Sequence, residues 1–293
     1  MRTREDLERL ESAVARALET GDVSTLEVVG YGEITLVLRC RVDGRPLACK
    51  RLPGLADEAA FNRYRRLVED YVTQLAGCGI VVPETTVHAV AGADGSLTAY
   101  CLQPELPSEA LLVNRLRGAD GATAAPLLDQ MVTRVSGCIT ERRGLDAQLS
   151  NWALTRDGLS YYDISTPFLR DANGADLFDV ELHLASVPWA LRWAVRRFAI
   201  GAILDKFYTV RGAMLDLAGN LYKERMGVVV ARLLERAAAV ADPPITEREA
   251  AAYYRGDARL WALLQRLRRA DRWWQRTVRR RPYPFLLPGK IAR

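Results

Sequence analysis

The sequence predicts an α+β protein of two lobes, a small β-rich N-terminal lobe and a larger helical C-terminal lobe. Three observations predict it. Strand-like runs of β-branched and apolar residues are concentrated in residues 26–106. One long helical pattern interrupts those runs. Beyond Pro104 and Pro107 the apolar residues recur mostly at helical spacing. At 293 residues and 49% hydrophobic, the chain can bury two sizeable cores and is too apolar for disorder.

Each element follows in order. Leu7, Leu10, Val14 and Leu18 give a helical period over residues 3–19, and Gly21-Asp22 ends it. LEVVG, EITLVLRCRV and RPLACKRL read as strands. Gly30 and Gly32 lie between the first two, and Asp43-Gly44 signals a hairpin between the second and third. Pro53-Gly54 breaks the third strand. Residues 57–76 then read as a helix with Phe61, Tyr64, Leu67 or Val68, Tyr71 and Leu75 on one side, stopped by Gly77 and Gly79. GIVVPETTVHAV and SLTAYCLQPEL add two strands across an Asp94-Gly95 turn. The order β-β-β-α-β-β defines an N-lobe over residues 1–106, and residues 107–293 form the C-lobe.

Within the C-lobe, residues 108–143 read as mostly helical, with an interruption near Gly118–Gly121. Residues 144–163 revert to a loop and a short hairpin with Asp157-Gly158 at its tip. From Asp176 the pattern is helical, with breaks expected at Pro188, Gly219 and Pro243-Pro244. The final RPYPFLLPGKIAR is expected to be extended.

Composition narrows the function classes. The longest charge-free run, Tyr71 to Pro83, has 13 residues, below the ~20 that a bilayer span requires. The charged MRTREDLERLE start lacks an apolar signal core. Five scattered cysteines without a CxxC read as reduced thiols. Together these predict a cytoplasmic protein. Net charge is +5, yet residues 255–281 hold ten Arg against Asp257 and Asp271, a local +8 that leaves −3 for the rest. Of 41 cationic residues only Lys50, Lys206, Lys223 and Lys290 are Lys. A Lys in a structured segment therefore stands out.

Four features carry candidate chemistry. Gly30-Tyr31-Gly32 is a glycine turn between strands, where backbone N–H groups can approach phosphate oxygens. Lys50 ends the third strand. Glu69 lies well inside the next helix and is the preferred ion-pair partner of Lys50; Glu58, in the first turn, is the alternative. Asp146 and Asn151 lie five residues apart in a loop, and Asp163 follows Asn151 by 12 residues after an apolar strand. These are oxygen ligands of the kind that suits a hard cation such as Mg²⁺.

The order Gly turn, strand Lys, helix Glu, Asp-x₄-Asn, then Asp resembles the protein-kinase-like superfamily. It looks closest to the small-molecule branch typified by aminoglycoside phosphotransferases, over roughly residues 25–205. The resemblance implies a bilobal kinase-like fold using ATP and Mg²⁺. Gly30 and Gly32 would line the phosphates, and Lys50 would contact them while paired with Glu69. Leu102, Gln103, Glu105 and Leu106, in the segment LQPEL, would form the adenine-reading hinge. Asp146 would be the catalytic base, with Asn151 and Asp163 holding the metal. Three departures accompany it: Gly144 where the family usually has His, Ser165 where it usually has Gly, and no third glycine in the turn. The implied activity is transfer of the γ-phosphoryl to a hydroxyl of a small molecule or modified peptide. The departures keep open a pseudokinase that acts as a nucleotide-binding scaffold.

The tail carries Leu260, Leu263, Leu264, Leu267 and Trp274 on an apolar stripe with Arg around it. It reads as a helix packed on the lobe, or as a surface for anionic lipid or for an acidic partner. Nucleic acid ranks last, since no recognised module is present.

Overall fold

The computed structural model describes residues 2–32, 34–92, 95–281 and 283–287. Glu33 of the glycine turn, Asp94 of the second expected turn, and Pro282 and residues 288–293 of the expected extended end lie outside the described residues.

The N-lobe contains helix α1 (Arg2–Thr20), strands β1 (Glu27–Tyr31), β2 (Leu36–Val42) and β3 (Arg45–Leu55), helix α2 (Glu58–Gly77), and strands β4 (Thr86–Ala91) and β5 (Leu97–Pro104). The strands form one antiparallel sheet in the order β1-β2-β3-β5-β4. The C-lobe adds α3 (Leu112–Arg115), α4 (Gly121–Cys138), the hairpin β6 (Trp152–Thr155) and β7 (Gly158–Tyr161), then α5 (Val180–Ala185), α6 (Arg192–Phe198) and α7 (Ile200–Asp205). Helices α8 (Val210–Lys223), α9 (Gly227–Ala237) and α10 (Glu247–Thr277) complete it. This is the α+β architecture expected from the sequence, an antiparallel sheet lobe followed by a larger helical lobe.

Strand alternation gives the sheet two different faces. Leu36, Leu38, Cys49, Tyr100 and Leu102 pack under Leu7, Val14 and Ala17 of α1. Glu11 of α1 fixes that helix in place. It accepts two hydrogen bonds from Arg51, at 2.7 and 2.6 Å, and one from the Tyr100 hydroxyl at 2.6 Å. The opposite face carries Leu52, Ala99 and Cys101 against Phe61, Tyr64 and Val68 of α2. That second core continues without a break into Leu128, Leu145, Leu149, Trp152 and Leu217 of the C-lobe. Asp57 caps α2 by accepting from the Ala60 amide, and Asp120 caps α4 from Thr123.

Three expectations are corrected here. Pro53-Gly54 does not end β3, which pairs on to Leu55 with a shift of register after Leu52. Cys40 and Cys49 are joined as a disulfide, so not all five thiols are free. The β2–β3 register pairs Leu38 with Cys49 and Cys40 with Leu47. The two cysteines are thus diagonal neighbours on one face, with Cα atoms 6.5 Å apart. Gly219 does not break a helix. It lies within α8, where a Cβ would stand 2.8 Å from the Tyr253 ring of α10. The glycine lets two helices approach closely.

Candidate active site

Lys50 and Arg51 are neighbours in β3 and point to opposite faces of the sheet. Arg51 is buried on the α1 face with Glu11. Lys50 faces the cleft between the lobes, where its Nζ donates to the Tyr162 carbonyl at 2.7 Å and stands 3.2 Å from Asp163 Oδ1. Both side chains are mostly shielded, at 14% and 26% exposure. The sheet register sets Gly30 opposite Val37, and Val37 opposite Lys50. One row across β1, β2 and β3 therefore ends in the ammonium group. At the turn, the Gly32 amide donates to the Thr35 carbonyl at 2.9 Å, and a Cβ on Gly32 would collide with the Thr35 side chain.

Backbone bonds gather the C-lobe residues around Lys50. The Tyr162 amide donates to the Asn151 carbonyl at 2.8 Å. Asn151 Nδ2 donates to the Asp146 carbonyl at 3.3 Å. Asp146 Oδ1 accepts from the Gln148 amide at 3.0 Å, and Ser165 Oγ donates to Asp163 Oδ1 at 3.2 Å. A chain of short contacts thus links Lys50, Asp163, Asn151 and Asp146. Gly144 enters this loop where the Leu145 amide donates to the Phe207 carbonyl. A Cβ on Gly144 would lie 2.9 Å from that carbonyl oxygen, so a larger residue needs the backbone to move.

Burial pushes the Asp146 carboxyl up to about 7, with the Asp216 and Asp163 charges adding to it. The Gln148 amide and Lys206 act against that rise. Burial also holds the Tyr64 hydroxyl well above its ordinary value, so it is a neutral donor at physiological pH.

Two of the sequence expectations are corrected. Glu69 does not meet Lys50. Its side chain is 63% exposed and its ion-pair neighbour is Arg65, 3.9 Å away. Glu58 is exposed too. The inward face of α2 is instead Phe61, Tyr64, Val68, Tyr71 and Leu75, and Glu69 follows Val68 on the outer side. The hinge expectation also shifts. Leu102 is an interior position of the sheet, set between Cys49 of β3 and Thr86 of β4. Gln103 is buried, and its side chain donates to Thr85 at 3.2 Å. Glu105 and Leu106 follow β5, with Glu105 receiving a hydrogen bond from Arg39 at 2.5 Å. Only the latter half of the LQPEL segment lies beyond the sheet.

The sequence reading missed two supports of the site. Tyr64 donates to the Ser165 carbonyl at 2.9 Å, and Tyr71 donates to the Gly144 carbonyl at 3.0 Å. One face of α2 thereby holds both the Asp163 segment and the Asp146 loop. From below, Asp216 of α8 accepts from Lys206 and Tyr253 at 2.5 Å each, and from Gln148 at 3.2 Å. Asn220, one turn later, accepts from the Leu149 amide at 3.1 Å and donates to Gln148 at 3.3 Å. Asp216 and Asn220 at four-residue spacing inside the apolar stretch MLDLAGNLY were the available signal.

Among solved structures, WaaP in complex with acyl carrier protein is similar at a TM-score of 0.39 and 15% identity, over 92% of this chain and 97% of that one. No curated protein matches the sequence. The model of a family of unknown function (DUF6206) matches residues 9–272, and the chain belongs to that family.

Proposed function

We propose that this protein is an ATP- and Mg²⁺-dependent phosphotransferase that moves the γ-phosphoryl to a hydroxyl of a small molecule or modified peptide, on the plan of aminoglycoside phosphotransferases. The observation that carries this reading is the approach of Lys50 to Asp163 with Asn151 and Asp146 alongside. Asp163 and Asn151 offer the hard oxygen donors that Mg²⁺ prefers, and they would hold it. The bound metal would supply charge neutralisation at the phosphates. In this reading the Lys50 ammonium binds phosphate oxygens, and the Gly30–Gly32 turn covers them with backbone N–H groups. Asp146 orients the acceptor hydroxyl and takes its proton. Positioning does most of the work in such chemistry.

ADP release on adding ATP, Mg²⁺ and a panel of hydroxyl acceptors tests the reading. An Asp146→Asn protein that is as fast as the wild type counts against it.

One observation favours a second reading, a nucleotide-binding pseudokinase. No carboxylate of α2 reaches Lys50, whose contacts are Tyr162 and Asp163. A clear thermal shift with ATP and Mg²⁺ but no phosphoryl transfer to any acceptor assigns the protein there. No shift at all removes both readings.

A further inference from the structure

Helix α10 leaves its apolar stripe in solvent. Leu260, Leu263, Leu267, Ala270 and Trp274 recur at three- and four-residue spacing and so share one face. Leu260 is 60% exposed, Leu263 52% and Trp274 39%. The residues this half of the helix buries are Gln265, Arg268 and Asp271. A helix that packed its apolar side on its own lobe would show the reverse.

Other aromatics join the stripe. Pro188, Trp189 and Ala190 line an open groove of about 280 Å³ together with Leu267, Trp273 and Trp274. Trp273 is 60% exposed and Trp189 50%. A little further along the chain, Trp193 and Phe198 are still more exposed and meet edge to face at 5.7 Å. Single exposed apolar residues are ordinary, but a cluster of this size marks an interaction surface.

Its charge says what it meets. Exposed Arg259 and Arg266 stand four residues before and three after Leu263, and exposed Arg276 stands three after Trp273. Arg196, paired with Glu181, and Arg197 lie between Trp193 and Phe198, and Arg279, Arg280 and Arg281 follow the helix. Over residues 258–281 the single acid is Asp271, which is buried. Thus the exposed charge is of one sign from Ala258 to the end of the helix, although Glu247 and Asp257 are exposed acids nearer its start.

We propose that this face docks on an anionic lipid bilayer, the indoles entering the headgroup region and the guanidinium groups meeting lipid phosphates. Tryptophan is favoured at bilayer interfaces, and a surface of one charge suits a laterally uniform anionic plane. The inference is independent of the phosphotransfer reading.

The test is co-sedimentation of the full chain with phosphatidylcholine vesicles, with and without phosphatidylglycerol, and the Trp273→Ser/Trp274→Ser variant beside it. Expected is partitioning roughly tenfold or more higher onto the anionic vesicles, with a blue-shifted tryptophan emission, falling as salt rises to about 0.3 M. The variant, with circular dichroism and melting unchanged, loses most of that binding. A second variant, Arg259→Gln/Arg266→Gln, loses the anionic preference, and it decides the matter should the first one fold poorly. Three results overturn the proposal: no sedimentation of the wild type, variants that bind as well as wild type, or a Trp273-dependent dimer or polyglutamate complex without vesicle binding.

Discussion

Lys50 and Asp163, separated by 112 intervening residues, face each other across the cleft at 3.2 Å. The contact joins the sheet lobe to the helical lobe, and the proposed phosphotransfer reading puts a triphosphate and its metal beside it. Lys50→Met removes the one ammonium there among the described residues. The expected outcome is loss of the thermal shift with ATP and Mg²⁺, and a fall in ADP release on the order of a hundredfold or more. Circular dichroism should stay as in the wild type. A Lys50→Met protein that still shifts with nucleotide would falsify the phosphate role.

The α2 face makes a contrasting pair of predictions. Tyr64→Phe leaves the buried Ser165 carbonyl without its donor, which costs about 1–3 kcal/mol in denaturant unfolding. Because Ser165 contacts Asp163, ADP release should fall as well. Glu69→Gln touches only an exposed side chain beside Arg65, so stability should stay within about 0.5 kcal/mol and activity should not change. A large loss at Glu69 with none at Tyr64 would reverse the account of this helix.

The same helix shows how far the sequence was legible. Its apolar spacing named Phe61, Tyr64, Tyr71 and Leu75 as one face, and that face is buried. The β-β-β-α-β-β order was likewise readable, because strands alternate and helices recur with different periods. The side-chain partners were not readable. Depth within the helix favours Glu69 as the partner of Lys50, but helical phase turns Glu69 to the outer side, one residue past the buried Val68. The Asp216 and Asn220 support was hidden because its partners, Gln148, Leu149, Lys206 and Tyr253, lie far apart in the chain. Disulfide pairing of Cys40 with Cys49 depends on strand register, which the Asp43-Gly44 turn alone did not fix.

Beneath the loop, Lys206 stands over Asp216. Burial opposes the Lys206 charge, yet Asp216 and Tyr253 hold its pKa above the ordinary value. Lys206→Met leaves a buried carboxylate with only Tyr253 and Gln148, and the expected cost is about 3–5 kcal/mol. Adding Asp216→Asn should return part of that loss, since the uncompensated charge disappears. Denaturant unfolding of both single variants and the double variant measures the coupling. Purely additive losses would mean that the pair does not interact.

Asp146 gives the stability a pH dependence. Its carboxyl is raised from an ordinary 3.8 to about 7, chiefly by burial and then by Asp216 and Asp163. Between those values the folded protein binds this proton and the unfolded chain has released it. The folded state therefore loses stability as pH rises through that window, and the penalty is complete above it. Asp146→Asn cannot ionise and escapes the penalty. In chelator-treated protein without nucleotide, the variant and wild-type melting temperatures should be closest near the acidic end. The variant should gain on the wild type up to neutral pH, and the gap should then level off. Melting curves that run parallel across the whole range would show that Asp146 ionises as freely in the folded protein as in the unfolded chain.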